Sequence, residues 1–585
     1  MTWMSTLRGS IRLAAATPGM LAGRKSADQL LDLRSQKRPE ALAIAYLDDR
    51  YTWQELRAQS DRLARFLAAE GVGAGDRVAL MIDNRPEFLF VFHALQRLGA
   101  VAALINTNLS GRNLAHVVRV ASPAKLVFGS EHAGHLAALR EHLPELDWAR
   151  DVFVQRENPG GDLAGARCLA TESADVSAAP MPPLPFEGND HCAYIYTSGT
   201  TGLPKAAVIS HQRMVAPGHL GGHLLHRVSV GDVIYIPLPL YHSNALLLGW
   251  GSALATGAGA ALRRRFSASE FFADIRRYEA VSFVYIGELC RYLLQSPVQP
   301  GETDHSIRAC TGNGLRPDIW EEFQARFGIP VVREIYGATE GTATLANLAG
   351  VPGMVGRLSP DAFLARCDLA TGEPIRNAKG LCEPAKNGET GLLLGGISRL
   401  VRFDGYLDQK ASDSKILRDV KKPGDAFFNT GDLLKRHPGR RLSFVDRVGD
   451  TFRWKGENVS TNEVAEVLNS GKGVIESNVY GVEISGCEGR AGMAALRVEP
   501  GFDPNALARF VGEQLPSYQR PLFLRLVEGE IEVTGTFKHQ KVKSREERFD
   551  PARVGEPLFY LAGDRYEPVD SAAFRAIENG EIRPG

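Results

Sequence analysis

Between residues 41 and 120, short apolar runs alternate with stretches of helical periodicity, and this order constrains the fold more than any other feature. Ala41–Tyr46 reads as a strand. Thr52 opens a helix with a capping-box spacing to Glu55. Val78–Ile82 reads as a strand, Pro86–Leu98 as a helix and Ala103–Ile105 as a strand again. Strand, helix, strand with short links builds sheets covered by helices, so the expected class is α/β. Similar units continue to about Ile335. From Gly356 to Asp432 Gly, Pro and short strand-like runs such as Gly391–Leu394 prevail. A new unit begins near Arg447, with Val459–Leu468, Val474–Val482 and Ala506–Leu515 as its periodic segments. At 585 residues the chain is too long for one ordinary core.

Lys plus Arg and Asp plus Glu both total 68, so no global basic field exists to hold nucleic acid. The seven cysteines include no C-x-x-C pair and are odd in number. A zinc site or disulfide framework is not expected, and a reducing cytoplasm fits. The arm Met1–Gly23 carries Arg8 and Arg12 among apolar residues without a clean signal-peptide core, and peripheral membrane contact is the furthest association it suggests. Pro237–Leu262 has no charged residue and is long enough to span a bilayer. Its prolines, its glycines, His242 and Asn244 favour a buried core helix instead.

Cys192–Tyr196 is a short apolar run that leads directly into Thr197-Ser198-Gly199-Thr200-Thr201-Gly202-Leu203-Pro204-Lys205. Glycine lets backbone approach a ligand closely. Exposed N–H groups and hydroxyls donate to phosphate oxygens, and Lys205 adds positive charge. It is not a Walker loop, which ends in Gly-Lys-Ser/Thr.

The string Tyr196–Lys205 resembles the phosphate loop of the adenylate-forming superfamily, which includes acyl-CoA synthetases, luciferases and peptide-synthetase adenylation domains. The superfamily's other motifs follow in order. Gly312-Asn313-Gly314-Leu315 resembles the adenine-contacting turn. Tyr336-Gly337-Ala338-Thr339-Glu340 resembles the motif in which the aromatic residue packs on adenine, the threonine contacts phosphate and the glutamate holds magnesium. Asp432, in Asn429-Thr430-Gly431-Asp432, matches the ribose-binding aspartate, and Arg447 matches a nucleotide-contacting arginine beside the domain junction. The hinge of the family follows that arginine, which points to Gly449 or Asp450. Lys538 falls on the catalytic lysine position, where its charge would stabilise phosphorus and departing pyrophosphate, with Lys541 as its nearest rival. His242, in Pro239–Asn244, resembles the segment beside the acyl channel; it either orients the carboxylate and shapes the tunnel mouth or is a core histidine.

Arg453–Val459, Tyr285–Leu293 and Phe549–Ile582 are similar to the fatty acid transport protein and very-long-chain acyl-CoA synthetase branch. Many superfamily members place arginine after the glycine at Gly456. Glu457 and Asn458 stand here, so contacts of that arginine are not carried over. The resemblance implies an N-terminal arm over 1–40, a large adenylation domain over 41–446 of mixed sheets with packed helices, and a small mobile C-terminal α+β domain over 447–585. It further implies a fatty acid–CoA ligase that uses ATP, Mg2+ and CoA. The acid would first become an acyl-adenylate, and the small domain would then exchange Lys538 for the Lys455-Gly456 region on the CoA side. Two alternatives remain open: a membrane-associated fatty acid uptake protein, and an acyl-AMP ligase serving a carrier protein.

Overall fold

The computed structural model describes residues 10–585 apart from 12, 15, 16, 18–24, 145, 157–164, 183, 198–203, 370, 399, 400, 455, 456, 488 and 532–540. By internal packing the chain forms two units, Met1–Gly356 with Ile397–Ile416 and Arg357–Gly396 with Leu417–Gly585.

The first unit contains a seven-stranded and an eight-stranded sheet. The seven-stranded sheet runs Arg167–Cys168, Val152–Gln155, Lys125–Gly129, Arg77–Met81, Val101–Leu104, His191–Thr197, Lys205–Ser210 in spatial order. Its strands are parallel except for the last pair. The eight-stranded sheet centres on the parallel strands Val332–Gly337, Ala309–Asn313, Ser282–Ile286, Val233–Ile236, Gly259–Leu262 and Leu42–Tyr46. The central strands are nearly continuous runs of buried apolar residues, as parallel strands covered on both faces require. The capping box expected at Thr52 and Glu55 starts the helix Trp53–Ala69.

Two expectations are sharpened here. The arm expected over 1–40 contains the helix Ala27–Lys37, whose Ala27, Leu30 and Leu31 are buried in the core. Asp28 of this helix bonds Arg57 at 2.6 Å and Arg97 at 3.3 Å, and so joins three helices through buried charges. The uncharged segment Pro237–Leu262 is buried, as expected, but as several elements rather than one helix. A π-helical stretch Asn244–Trp250 passes into the helix Gly251–Thr256 and then the strand Gly259–Leu262. Among the described residues no helix is long and apolar enough to cross a membrane.

The second unit contains an antiparallel sheet built on Ala362–Ala365, Thr390–Gly396, Ala426–Arg436 and Arg441–Arg447. It also contains a five-stranded sheet of Val474–Val482, Ala491–Val498, Phe523–Leu526, Leu558–Ala562 and Arg565–Pro568. The helices Thr461–Ser470 and Pro504–Gln514 bury Val464, Leu468, Leu507 and Val511 in the same core as this sheet. Packing therefore groups 357–396 and 417–447 with the C-terminal strands.

Candidate active site

In an open parallel sheet, ligands bind outside the carboxyl ends of the strands. The expected nucleotide motifs of the first unit lie at such ends. Gly312 and Asn313 finish the strand Ala309–Asn313, Tyr336 and Gly337 finish Val332–Gly337, and His242 and Ser243 follow Val233–Ile236. Thr197 and Lys205 are register partners across an antiparallel pair, so the two ends of the expected phosphate loop are pinned together. Ser198, Gly199, Thr200, Thr201 and Gly202 lie outside the described residues.

The structure surrounds Thr339 and Glu340 with residues the motifs did not include. Tyr406 donates its hydroxyl to Glu340 Oε1 at 2.6 Å. Its ring centroid lies 5.9 Å from Lys205 Nζ. Tyr406 reaches this place because Gly405–Leu407 runs along the hairpin strand: Val208 N donates to the Gly405 carbonyl at 2.9 Å and Leu407 N to the Ala206 carbonyl at 3.0 Å. Arg213, on the helix His211–Leu220, donates to the successive carbonyls of Ala338, Thr339 and Glu340. Burial pushes the Arg213 guanidinium below its usual range, while Asp404 and Glu340 oppose that shift. Ser243 and Thr339 share a hydroxyl–hydroxyl hydrogen bond of 3.1 Å. Asn244 Nδ2 donates to Asn313 Oδ1 at 2.9 Å and to the Tyr285 carbonyl at 3.0 Å. The His242 ring packs on Tyr241 at 4.4 Å between centroids, next to this group.

A carboxylate and two hydroxyls are hard oxygen donors of the kind Mg2+ prefers. The Glu340, Thr339 and Ser243 oxygens therefore fit that cation. Asp83, Glu131 and His132 also present ligand atoms within 4.8 Å of one another. Arg85, 3.3 Å from Glu131, and Arg264, 3.6 Å from Asp83, already neutralise those carboxylates, so the group reads as an internal ion network.

In the second unit Asp432 and Arg447 are register partners on adjacent strands, and Arg447 Nε donates to Asp432 Oδ1 at 3.0 Å. Thr430 braces the turn: its hydroxyl donates to the Leu393 carbonyl and accepts from Asp432 N. Asp446 is buried and accepts from Thr461 N at 2.7 Å and Arg447 N at 2.8 Å, and burial pushes its carboxyl up. Gly449 has φ of 90°, which favours glycine. Asp450 pairs with Arg545 at 2.9 Å and Lys541 at 3.7 Å, while Lys541 Nζ donates to Thr461 Oγ1 at 2.9 Å. Lys538, Lys455 and Gly456 lie outside the described residues.

The order of the motifs along the chain agrees with the comparisons. Residues 31–393 match the model of the AMP-binding enzyme family.

The chain belongs to the AMP-binding enzyme family.

It is 40% identical over 562 residues to long-chain fatty acid transport protein 1 of Homo sapiens, across 93% of this chain and 86% of that protein. It is 39% identical to the medium/long-chain-fatty-acid–CoA ligase FadD6 of Mycobacterium tuberculosis, across 94% and 90% of the two chains. Among solved structures it is similar to ATP-bound MatB from Rhodopseudomonas palustris, with a TM-score of 0.75 and 25% identity over 89% of this chain and 99% of that one. The anthranilate CoA ligase AuaEII, in complex with anthranoyl-AMP, superposes with a TM-score of 0.76 at 21% identity over 89% of this chain and 97% of that one. The expected α/β class with a smaller C-terminal α+β portion is thus the fold of adenylate-forming AMP-binding enzymes.

Tyr406, Arg213 and Ser243 went unnamed in the sequence analysis. Ser243 stood inside the quoted segment Pro239–Asn244, one residue from His242, and was within reach. Arg213 carries no motif, and Tyr406 becomes visible only when its segment is laid beside the hairpin.

Proposed function

We propose that this chain is an ATP-dependent, AMP-forming fatty acid–CoA ligase. The observation that carries it is the cluster at Glu340, where the family's phosphate-side threonine and glutamate meet the hairpin lysine through Tyr406. The similarity to a fatty-acid–CoA ligase over nearly the whole chain supports the acid and the thiol acceptor.

In the first half-reaction a fatty acid carboxylate oxygen bonds to the α-phosphorus of ATP, the bond to the β-phosphate bridging oxygen breaks, and pyrophosphate leaves. Lys205 and the hairpin tip hold phosphates, while Lys538 approaches the reacting phosphorus and stabilises the growing negative charge. Thr339, Glu340 and Ser243 would hold Mg2+, which supplies charge neutralisation at the phosphates. Tyr336 and Gly312–Gly314 form the adenine side, and Asp432 with Arg447 the ribose side. In the second half-reaction the CoA thiolate attacks the acyl carbon of the mixed anhydride, and AMP leaves with the electron pair of the broken C–O bond.

Gly449 and Asp450 form the hinge between a body of 41–446 and a C-terminal part of 447–585. The positive φ of Gly449 and the open space around it support that role: an added Cβ there would meet no atom within 4 Å. The hydrogen bond from Lys541 to Thr461 supports a bracing role for Lys541 and leaves the reacting phosphorus to Lys538. The Lys455-Gly456 region takes the CoA side after rotation, so that one site runs two reactions in turn.

The test is pyrophosphate release from ATP with Mg2+ and saturated fatty acids of graded length, with and without CoA. Acid-dependent release, with acyl-CoA and AMP appearing only when CoA is added, is expected. Absence of acid-dependent release at every length would overturn the reading. Acyl transfer to a carrier protein but not to CoA would replace the acceptor.

A further inference from the structure

The strand Arg77–Met81 of the seven-stranded sheet runs out into Ile82-Asp83-Asn84-Arg85, and both flanks of Asn84 are held by that sheet. Asp83 N donates to Glu131 Oε1 at 2.9 Å, and the Asp83 carboxylate lies 3.1 Å from His132 Nε2. Glu131 reaches that place by folding over Gly129, where a Cβ would lie 2.2 Å from Glu131 Oε1. Arg85 donates to the Gln155 carbonyl at 2.8 Å. Asn84, only 3% exposed, turns its amide to the other sheet: Nδ2 donates to the Leu238 carbonyl, and Oδ1 accepts Leu240 N–H at 2.7 Å. Those partners fix which end of the amide is which, because a carbonyl only accepts and an N–H only donates.

Leu238 and Leu240 follow the strand Val233–Ile236, in Pro237-Leu238-Pro239-Leu240, where both prolines lack an N–H. The segment has run past its own strand, so its buried carbonyl and N–H groups need partners elsewhere. Asn84 supplies two, one on each side of Pro239, as a neighbouring strand would. Little slack follows: His242 N donates to the Pro239 carbonyl at 3.0 Å, and Leu246 N to the His242 carbonyl at 3.0 Å. From this turn Ser243 Oγ meets Thr339 Oγ1 at 3.1 Å, and Asn244 Nδ2 meets Asn313 Oδ1 at 2.9 Å. None of the motif roles uses Asn84. We infer that Asn84 is a positioning residue: its amide clamps the seven-stranded sheet to Leu238–Leu240 and thereby sets where His242, Ser243 and Asn244 stand against Thr339. This inference rests on the acid-activating reading proposed above. A clamp of this kind is felt in the acid and Mg2+ dependence, whereas plain support of packing lowers the folded fraction and leaves both constants alone.

The experiment compares the full chain as wild type, Asn84→Ala and Asn84→Asp. It measures equilibrium binding of radiolabelled palmitate and ATP binding by calorimetry without Mg2+ or acid. It then measures kcat, the KM for palmitate and the Mg2+ requirement in pyrophosphate release. Asn84→Ala loses both contacts and is expected to weaken palmitate binding and lower kcat/KM for palmitate roughly tenfold, as for two buried hydrogen bonds. Its half-maximal Mg2+ concentration should rise as Ser243 shifts from Thr339, while Mg2+-free ATP binding stays as in wild type. Asn84→Asp keeps the shape and the acceptor for Leu240 N–H but sets a carboxylate oxygen against the Leu238 carbonyl, and it should fall at least as far. Unchanged palmitate binding and kcat/KM in Asn84→Ala, or equal weakening of palmitate and Mg2+-free ATP, overturns the inference. If the alanine variant does not fold, an Asn84→Asp protein with wild-type constants overturns it. A wild-type chain that binds palmitate yet releases no pyrophosphate with any fatty acid defeats the acid-activating reading, and palmitate binding alone then decides the clamp. A wild-type chain that binds no fatty acid defeats both.

Discussion

The expected nucleotide-side residues of the two units are held in different ways. In the first unit, Thr339 and Glu340 are fixed by contacts from elements far apart in sequence: Arg213 grips three carbonyls, Tyr406 the carboxylate and Ser243 the hydroxyl. In the second unit, Asp432 and Arg447 meet across neighbouring strands close in sequence. The chain then turns through a glycine that nothing crowds. A group that must meet developing charge without reorganising needs the first kind of support. A pair that stays with the body beside the proposed hinge can rest on neighbouring strands alone.

Five substitutions break or sharpen that contrast. Lys538→Ala has the largest expected effect, a loss on the order of a hundredfold or more in pyrophosphate release. It should spare conversion of supplied acyl-AMP to acyl-CoA, and equal loss of both half-reactions would remove the swinging-lysine scheme. Arg213→Met leaves three carbonyls short of a buried donor, at about 1–3 kcal/mol, or roughly five- to 150-fold. Because Arg213 holds the segment that carries Thr339 and Glu340, both half-reactions should fall together in separate assays. Gly449→Pro confines φ to negative values and should slow thioester formation roughly five- to tenfold. Pyrophosphate release in a single turnover should change little, and the reverse pattern would move the hinge. Tyr406→Phe removes one hydroxyl, at about 1 kcal/mol or roughly fivefold in kcat/KM. It should also raise the Mg2+ concentration needed for half-maximal rate, and an unaltered Mg2+ curve would limit Tyr406 to packing.

The smallest effect is one of pH. The folded-state pKa of Glu334 is raised from 4.5 to about 8, with Tyr285, Cys290 and Cys310 as its titratable neighbours. The folded chain therefore binds the additional proton between those values, and the stability this group contributes is lost as pH rises from about 4.5 to about 8. Glu334→Gln removes this titration, so its melting temperature should gain on wild type as pH rises from 5 to about 8. A constant difference would show that Glu334 does not titrate there.

Much of the local structure was legible in the sequence. The capping pair Thr52 and Glu55, the apolar strands and the helix Pro86–Arg97 depend on neighbours a few residues away, and their patterns state them. The helix Ala27–Lys37 was also within reach, since Ser26 and Gln29 have capping-box spacing. It was absorbed into the arm because its inward face owes as much to Asp28 as to its leucines. The division at 357 falls where Gly, Pro and short strand-like runs begin to prevail, whereas the crossings at 397 and 417 left no composition signal.

By itself the sequence determined the α/β class and the motif order, and through them the family, because strand patterns and loop motifs are written in adjacent residues. Only the tertiary structure decided what holds those motifs in place. Tyr406 meets Glu340, Arg213 meets three successive carbonyls, and Glu334 meets Leu315 across a glycine. Each of these contacts closes between separate segments of the chain, at distances set by how sheets and helices pack and not by any spacing along the sequence.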